Sequence, residues 1–406
     1  MKNNIRVANV IEEGRLGGPQ VRIANVALAL KPYLETTVVL PFDNSNLFMQ
    51  KLDSFNINYK CLNLSRITKD FKVACRYVLF SIFEIYKLSK YFKKEKFDLI
   101  HASGGSWQYK AVIAAKLSNG KVVWHLNDTS MPWLFRKIFL LFSSFPDAYI
   151  FSSERTKIYY SHIFLEQKMS FIIPAPVDTE QFSENLINSS YDEMFNEWKG
   201  KTVVGVTANL STIKGLDIFI QVASELNSCF PDMKFIIVGS VGDKKSALYK
   251  NLIKLKEKLN VDNLSFVGQV SDLRIYLKRM DVYVCSSYAE SSPISVWEAM
   301  SMSKPIVSTD VGDVSKYIVN GESGYIVPVG SVRAIKNKVS CLLNNPELLG
   351  KFGDEARKVA ERNLDIKICA EKHLSAYKKK LVCELKKKLC LFLGLMRTMA
   401  IPLPAS

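Results

Sequence analysis

At 406 residues the chain is too long for one small module, and its length predicts two or three domains. Hydrophobic residues make up 48% and charged residues 23%, which supplies enough apolar side chain for large cores and excludes a disordered polymer. Lysine and arginine number 55 against 39 acids, a net +16 that points to a polyanion: nucleic acid, a phosphate-bearing substrate or an anionic membrane.

The N-terminus enters a strand pattern at once, without the apolar core of a signal peptide. Short apolar runs then alternate with segments of helical period. Ile5 to Ile11 reads as a strand before a helix over 19–31, followed by Thr37 to Leu40 and by Ile57 to Leu62 before a helix over 70–95. Leu99 to His101 precedes a helix over 107–118, and Val122 to Leu126 and Ala148 to Phe151 complete the series. Between Pro174 and Lys199 the pattern loosens, with two prolines and several Asn and Ser, which reads as a linker.

A second series follows: Thr202 to Thr207, Lys234 to Val238, Leu264 to Val267, Val282 to Cys285, Pro305 to Ser308 and Gly324 to Val327, with helical segments between them. Strands alternating with helices mean βαβ units on parallel sheets. The expected boundaries are an N-terminal domain over 1–177, a linker over 178–200, a C-terminal domain over 201–365 and a basic helical tail over 366–406. Ligands of such sheets bind beyond the carboxyl ends of the strands, so the cleft between the halves is the expected active site.

The eight cysteines form no CxxC pair and no Cys/His cluster, and several lie in apolar runs such as Val282 to Cys285. They read as buried free thiols of a reducing compartment, which favours the cytoplasm. No run reaches the roughly 18 apolar residues a membrane span needs. Glu84 interrupts Tyr77 to Leu88, Pro146 and Asp147 interrupt Ile138 to Ile150, and Leu389 to Met396 ends at Arg397.

Two loops carry candidate chemistry. The first, Glu12 to Gln20, holds Gly17 and Gly18 just before Pro19, which can begin a helix whose positive end would receive a phosphate. It is not a GxGxxG fingerprint, and a plain glycine-rich turn is the alternative reading. The second, Ser286 to Met300, sets Glu290 in a loop and Glu298 in the second turn of a helix that Ser292 can cap and Pro293 can start. One acid would suit a sugar hydroxyl and the other a ribose diol, although Glu298 reads equally well as a solvated helix residue.

Glu290 to Glu298, with Ala299-Met300 and Lys304 to Val307, resembles the EX7E segment of the retaining glycosyltransferases of family 4. Other segments fall in family order: Gly17-Gly18, Trp124-His125, Pro174 to Phe182, Leu210 to Gly215, Phe266 to Gly268 and Gly321 to Val327. The resemblance implies the α/β GT-B fold, two Rossmann-like doubly wound domains facing across a cleft. It implies that Glu298 binds the nucleotide ribose, and that Glu290 with the backbone of Ser291, Ser292 and Ile294 binds the donor sugar. It further implies that Lys214 pairs with the diphosphate, that Gly17 and Gly18 face donor phosphate and acceptor, and that His125 lies beside the transferred sugar as a catalytic group with Glu290. An arginine common in the family five residues before the lysine is Asn209 here, which leaves the donor site one cation short unless another arginine substitutes. Gly312 to Lys316 replaces the usual GG-x-x-E.

With no Asp-x-Asp motif, no metal and no cofactor are expected beyond the substrate nucleotide sugar, UDP- or GDP-linked. Retention would follow front-face attack, with the leaving phosphate oxygen taking the acceptor's proton. The acceptor implied is a lipid-linked saccharide of capsule, O-antigen or exopolysaccharide synthesis. A catalytically silent nucleotide-sugar or glycan-binding assembly factor and a nucleotide-sugar epimerase are the competing readings.

Residues 66–96 carry a net +6 and residues 367–406 a net +7, so the excess charge is local. The first segment interleaves Phe80, Phe83, Tyr86 and Phe92 with lysines, and the second sets Lys378 to Lys380 and Lys386 to Lys388 before an apolar run ending at Met396. Each reads as a contact with an anionic membrane on the inner face of the cell membrane, or else as a helix packed on the protein with a solvated basic end. Nucleic acid is not expected, because neither accompanies a reading module.

Overall fold

The computed structural model describes residues 5–66, 71–163, 168–187, 189–379 and 381. The N-terminal domain runs β1 (Ile5–Val10), α1 (Gly18–Leu30), β2 (Leu34–Pro41), α2 (Asn46–Ser54), β3 (Asn58–Leu62), α3 (Phe71–Glu95) and β4 (Leu99–Ala102). It continues through α4 (Tyr109–Leu117), β5 (Val122–Leu126), α5 (Trp133–Phe142), β6 (Ala148–Phe151), α6 (Glu154–Ser161) and β7 (Met169–Ile172). The strands form one parallel sheet in the order β3-β2-β1-β4-β5-β6-β7.

The C-terminal domain comprises β8 (Thr202–Thr207), α7 (Leu216–Asn227), β9 (Met233–Val238), α8 (Ala247–Lys258), β10 (Leu264–Gly268), α9 (Leu273–Arg279) and β11 (Val282–Cys285). Then come α10 (Ile294–Ser301), β12 (Ile306–Thr309), α11 (Val314–Tyr317), β13 (Gly324–Val327), α12 (Val332–Leu343) and α13 (Pro346–Asn363). Its sheet order is β10-β9-β8-β11-β12-β13, again parallel. The two doubly wound sheets and the cleft between them are the expected architecture.

Parallel strands covered on both faces must be apolar throughout, and β5 and β6 are buried at every position. Each such Val, Ile or Leu side chain contributes roughly 1.5–3 kcal/mol when fully buried. In both sheets the order reverses beside the first strand, between β1 and β4 and between β8 and β11. Those switch points open crevices at the carboxyl ends of the strands, where the two candidate loops sit.

Residues 178–200 are not a free linker. Ile187 and Phe195 are buried in the main cluster of the C-terminal core, with Phe182 and Trp198 packed against it. The segment is rich in Asn and Ser and lacks a period, which hid these three-dimensional anchors. The chain passes between domains twice, and the two passages are joined: Val177 N donates to Leu364 O at 3.0 Å, and Thr179 Oγ1 donates to Asp365 Oδ2 at 2.5 Å.

After the second passage a helix over 366–379 lies on the N-terminal sheet. Its Cys369, Ala370, Leu374 and Tyr377 pack with Val7, Leu99, Val123 and Ile150. The basic and apolar runs over 382–396 lie outside the described residues. Of the cysteines described, all free, Cys285 and Cys369 are buried, while Cys229, just beyond α7, is exposed.

Candidate functional site

The cleft has a volume of about 880 Å³ and is lined from both domains by Gly17, Gly18, Arg22, Asn127, Asp128, Asn209, Lys214, Glu290 to Ser295 and Glu298, among others. That is large enough for a nucleotide-sized ligand.

Its C-terminal wall is a set of loops bolted to one another. Gly215 has φ +58°, and a Cβ there would fall 2.0 Å from Ser286 O. Only glycine lets the segment before α7 lie this close to the end of β11. Tyr288 N donates to Ile213 O at 2.7 Å, and Ser286 Oγ to Lys214 O at 3.2 Å. Lys214 is thereby held against the acidic loop, where its Nζ meets Glu290 Oε1 at 2.6 Å; Ser287 Oγ donates to the same oxygen at 3.0 Å. Burial disfavours the ammonium, but the charge and hydrogen bond of Glu290 outweigh it and raise the Lys214 pKa above the ordinary value.

Glu298 projects from the second turn of α10. Its carboxyl has no hydrogen-bond or ion-pair partner among the described residues. The low-dielectric wall pushes its pKa up to about 8, against the pull of Lys51 on α2. Ser292 does not cap α10. Pro293 occupies the N-cap position with an extended ψ of 94°, and Ser292 Oγ accepts from Ala175 N at 2.9 Å and from Trp297 Nε1 at 3.2 Å. The hydroxyl is engaged by the interdomain passage and the helix's own tryptophan. Ile294 faces the other domain, and a Cβ on Gly18 would lie 3.6 Å from its Cδ1. Asn209 Oδ1 accepts from Ser240 N at 3.0 Å, which orders the loop beyond β8.

The N-terminal wall is built differently. Gly17 is an extended N-cap of α1 with no side-chain cap, and Pro19 is the second residue of the helix. One turn further in, Arg22 lines the cleft while only 4% exposed. Behind it lies His125, wholly buried on β5, whose ring accepts a hydrogen bond from Arg22 Nη1. His125 Nδ1 lies 3.2 Å from His101 Nε2, the two rings stack at 5.3 Å, and His101 Nδ1 lies 2.6 Å from Tyr377 Oη. His373 adds a third ring 6.0 Å from each. Burial, together with Arg22 and one another, holds His101 and His125 well below the usual histidine range; burial foremost brings His373 to about 3. His125 is therefore a neutral ring behind the cleft wall, with Arg22 between it and the opening.

The loop after β1 is fixed from below. Glu12 is buried and accepts from Tyr77 Oη at 2.7 Å, and Lys110 lies 3.2 Å from Glu12 and 2.5 Å from Glu84. Tyr77 and Glu84 belong to α3, so the basic helix is anchored directly to a cleft loop. Its opposite face is bare: Leu79, Ile82, Phe83 and Tyr86 are 65–74% exposed at i, i+3, i+4 and i+7.

The walls meet at α6. Ser291 Oγ is 2.8 Å from Thr156 Oγ1 and also pairs with Ser152 Oγ. Glu154 N donates to both oxygens of Asp313 at 3.0 Å, and Arg155 pairs with Asp310. The segment that departs from GG-x-x-E thus caps a helix of the other domain. Gly312, at φ +53°, allows its loop to pass Ser291 O, which a Cβ would approach to 2.4 Å.

The structure brings Gly17, Gly18, Asn209, Lys214, Glu290, Ser291, Ser292, Ile294 and Glu298 to one cleft and leaves His125 behind its wall. Sequence reasoning missed Arg22, Lys51, Asp128 and the Ser152–Thr156 contact. The signal for Arg22 was present: it follows Gly18 by four residues, which puts a cation on the helix face that carries the glycine.

Residues 16–181 match the family model described as Glycosyltransferase Family 4, and residues 190–359 that described as Glycosyl transferases group 1. The capsular polysaccharide biosynthesis glycosyltransferase CapM of Staphylococcus aureus is 26% identical over 48% of this chain and 50% of its own length. The N,N'-diacetylbacillosaminyl-diphospho-undecaprenol alpha-1,3-N-acetylgalactosaminyltransferase of Campylobacter jejuni is 23% identical over 70% of this chain and 74% of its own. With the first of these, and with an uncharacterized glycosyltransferase of Haemophilus influenzae, the match spans about half the relative's length. Anabaena HepE, crystallised with UDP and glucose, superposes with a TM-score of 0.81 at 17% identity over 93% of this chain and all of its own.

Proposed function

Because the chain belongs to the family 4 glycosyltransferases of the GT-B fold, we propose that it transfers a hexose or N-acetylhexosamine, with retention, from a nucleoside diphosphate sugar to a lipid-linked glycan in surface-polysaccharide synthesis. The observation that carries this reading is the pairing of Lys214 with Glu290 on a cleft wall that also presents Glu298, unpartnered among the described residues. The diphospho-undecaprenol in one relative's name and the UDP and glucose bound by a structural neighbour support the acceptor and donor classes.

A donor diphosphate competes with Glu290 for Lys214. As the ammonium turns to the phosphates, Glu290 is released to accept hydrogen bonds from the donor sugar's hydroxyls, so one exchange readies both groups. Glu298, once ionised, accepts the ribose hydroxyls. Lys214 and the helix N-termini at Gly18 and Ile294 carry the departing charge in place of a metal. The leaving phosphate oxygen takes the acceptor's proton on the face where the new bond forms, and no protein nucleophile is required. His125 then acts through Arg22 as a positioning residue.

The exposed stripe Leu79-Ile82-Phe83-Tyr86, followed on the same helix by Lys87, Lys90, Lys93 and Lys94, suits the interface of an anionic leaflet; no described helix is long and apolar enough to cross one. This reading places the enzyme at the inner face of the cell membrane, where lipid-linked acceptors are held. Binding to anionic vesicles is expected to fall with salt and with Phe83→Glu, and neutral vesicles are expected to bind little. The transfer reading itself is tested with UDP- and GDP-sugars. Glu298→Gln and Lys214→Ala should each depress transfer, and unchanged turnover in both would sink it.

A further inference from the structure

Four hydroxyls from two domains meet at the edge of the cleft. Thr156 Oγ1, in the first turn of α6, lies 2.7 Å from Ser153 Oγ and 2.8 Å from Ser291 Oγ, and Ser291 Oγ also pairs with Ser152 Oγ. Ser152, Ser153 and Thr156 are buried, and Ser152 and Ser291 line the cavity. Thr156 is set by its own helix: Ser153 is the N-cap of α6, and its Oγ accepts from Thr156 N at 3.0 Å. Ser291 is the member that the other domain brings. It is met from behind as well, because Gly312 leaves the space in which its loop passes Ser291 O. That loop is gripped by the two residues before Thr156: Asp313 accepts from Glu154 N at 3.0 Å, and Arg155 donates to Asp310 O at 2.7 Å and pairs with its carboxylate at 2.5 Å. Three successive residues of one helix therefore hold two loops of the opposite domain. The residue just before Ser291 is Glu290, whose carboxylate lies 2.6 Å from Lys214.

We propose that Thr156 and Ser152 are positioning residues for sugar transfer: they fix the Ser291 hydroxyl, and through it the adjoining Glu290, so that the N-terminal domain completes the donor-sugar half of the site. The inference rests on the transferase reading and extends it, because it makes the two halves of the donor depend on different parts of the molecule. Lys214 is seated by contacts within the C-terminal domain, from Ser286 Oγ to its carbonyl and from Tyr288 N to Ile213 O, and Glu298 stands on α10. The nucleoside diphosphate therefore needs nothing from α6. The hexose is met by a loop whose place is set across the domain boundary. Hydrogen bonds to sugar hydroxyls weaken steeply away from their preferred geometry, so a small displacement of Glu290 reaches the hexose and spares the nucleotide.

The test titrates the full chain and its Thr156→Val, Thr156→Ser and Ser291→Ala variants with UDP, UDP-glucose and UDP-N-acetylglucosamine, and with GDP and GDP-mannose. Thr156→Val and Ser291→Ala should each leave the affinity for UDP or GDP unchanged and weaken the matching nucleotide sugar by roughly fivefold to tenfold, the scale of one hydrogen bond; Thr156→Ser should restore it. Because Thr156 acts through Ser291, the double variant Thr156→Val/Ser291→Ala should lose no more than either single one. Arg155→Ala breaks the neighbouring ion pair and spares the hydroxyls, so it should leave the ratio of nucleotide-sugar to nucleotide affinity near the wild-type value. A merely structural role for Thr156 would weaken nucleotide and nucleotide sugar alike, and an Arg155→Ala loss equal to that of Thr156→Val would assign the effect to domain apposition. Either result overturns the proposal, as do additive losses in the double variant. If the wild type binds UDP or GDP and Thr156→Val leaves the ratio unchanged, the positioning role fails and the transferase reading stands. If the wild type binds no nucleoside diphosphate, both fall. A wild type that binds a nucleoside diphosphate but none of the three nucleotide sugars also overturns the proposal, since the seated loop would then admit no hexose. Should Thr156→Val not fold, Ser291→Ala decides: a loss in the nucleotide sugars alone supports positioning, and an unchanged ratio overturns it.

Discussion

The two walls of the cleft hold their charges by opposite means. On the C-terminal wall the ammonium of Lys214 is paired with Glu290, and tight glycine turns clamp the loops that carry them. On the N-terminal wall Arg22 is backed by three buried, neutral histidines and has no salt bridge to an acid among the described residues. A paired wall must exchange partners when a ligand arrives, whereas the other carries the cost of burying its cation throughout. The difference teaches that a cleft can hold a cation either as a replaceable ion pair or as an unmet desolvation cost.

The largest effect should come from acid, and it should strike the N-terminal wall. The folded pKa values of His101, His125 and His373 lie below the unfolded value near 6.5, so below that pH the unfolded chain binds more protons and stability falls. Each histidine costs up to about 1.4 kcal/mol per pH unit, or roughly 4 kcal/mol for the three, and for His373 the loss continues toward pH 3. Glu298 works the other way: its raised value gives stability that is present below about 4.5 and lost as pH rises through 8, and the buried carboxyls of Glu12 and Asp128, also raised, offset the histidines in the same direction. Calorimetry from pH 7.5 to 5 should show the histidines pulling the unfolding transition down, and His373→Gln should make the loss toward acid smaller than in the wild type. A pH profile that His373→Gln leaves unchanged would mean that the ring is not buried neutral.

Next in size is Lys214→Ala, which should cost roughly 10²–10³ in kcat, the scale of losing one preorganised donor at a departing charge. A smaller loss would shift the weight of the diphosphate toward the helix N-termini. Third, nucleoside diphosphate affinity should rise about tenfold from pH 7 to pH 9 as Glu298 ionises around 8, and Glu298→Gln should remove that slope. The smallest effect should be Asp313→Ala, which removes the acceptor of Glu154 N in the first turn of α6 while the Ser153 cap on Thr156 N remains, and costs about 1 kcal/mol by thermal melting.

What could be read beforehand follows from the range of the interactions. The strands of both sheets were visible because each is a short apolar run bounded by turns, and parallel sheets require such runs. Glu290 and Glu298 stood out locally as two acids bracketing a helix start, but their roles and that of Lys214 came from the resemblance to family 4, because spacing alone reads Glu298 equally well as a solvated helix residue. Ser292 was misplaced because its hydroxyl is claimed by Ala175, more than a hundred residues away, which outcompetes a local cap. The histidine cluster joins β4, β5 and the helix over 366–379, and nothing in the neighbourhood of any one ring announces the other two. The exposed stripe on α3 has the same helical period as its buried stripe, so the pattern identified the helix without telling which side faces out.

The paired interdomain passages at Val177 and Asp365 have a topological consequence. Followed along its path, the chain leaves the N-terminal domain, builds the C-terminal one and returns beside its point of departure, where the helix over 366–379 lies on the first sheet. The second domain is thus an excursion suspended from a two-stranded strap. The strap sets a hinge line across Val177 and Asp365, and opening of the cleft about it must break the contacts of Glu154 with Asp313 and of Arg155 with Asp310. A protease cut in a surface turn of the C-terminal domain would leave two fragments that each retain one half of the strap, and they would remain together until the core itself unfolds.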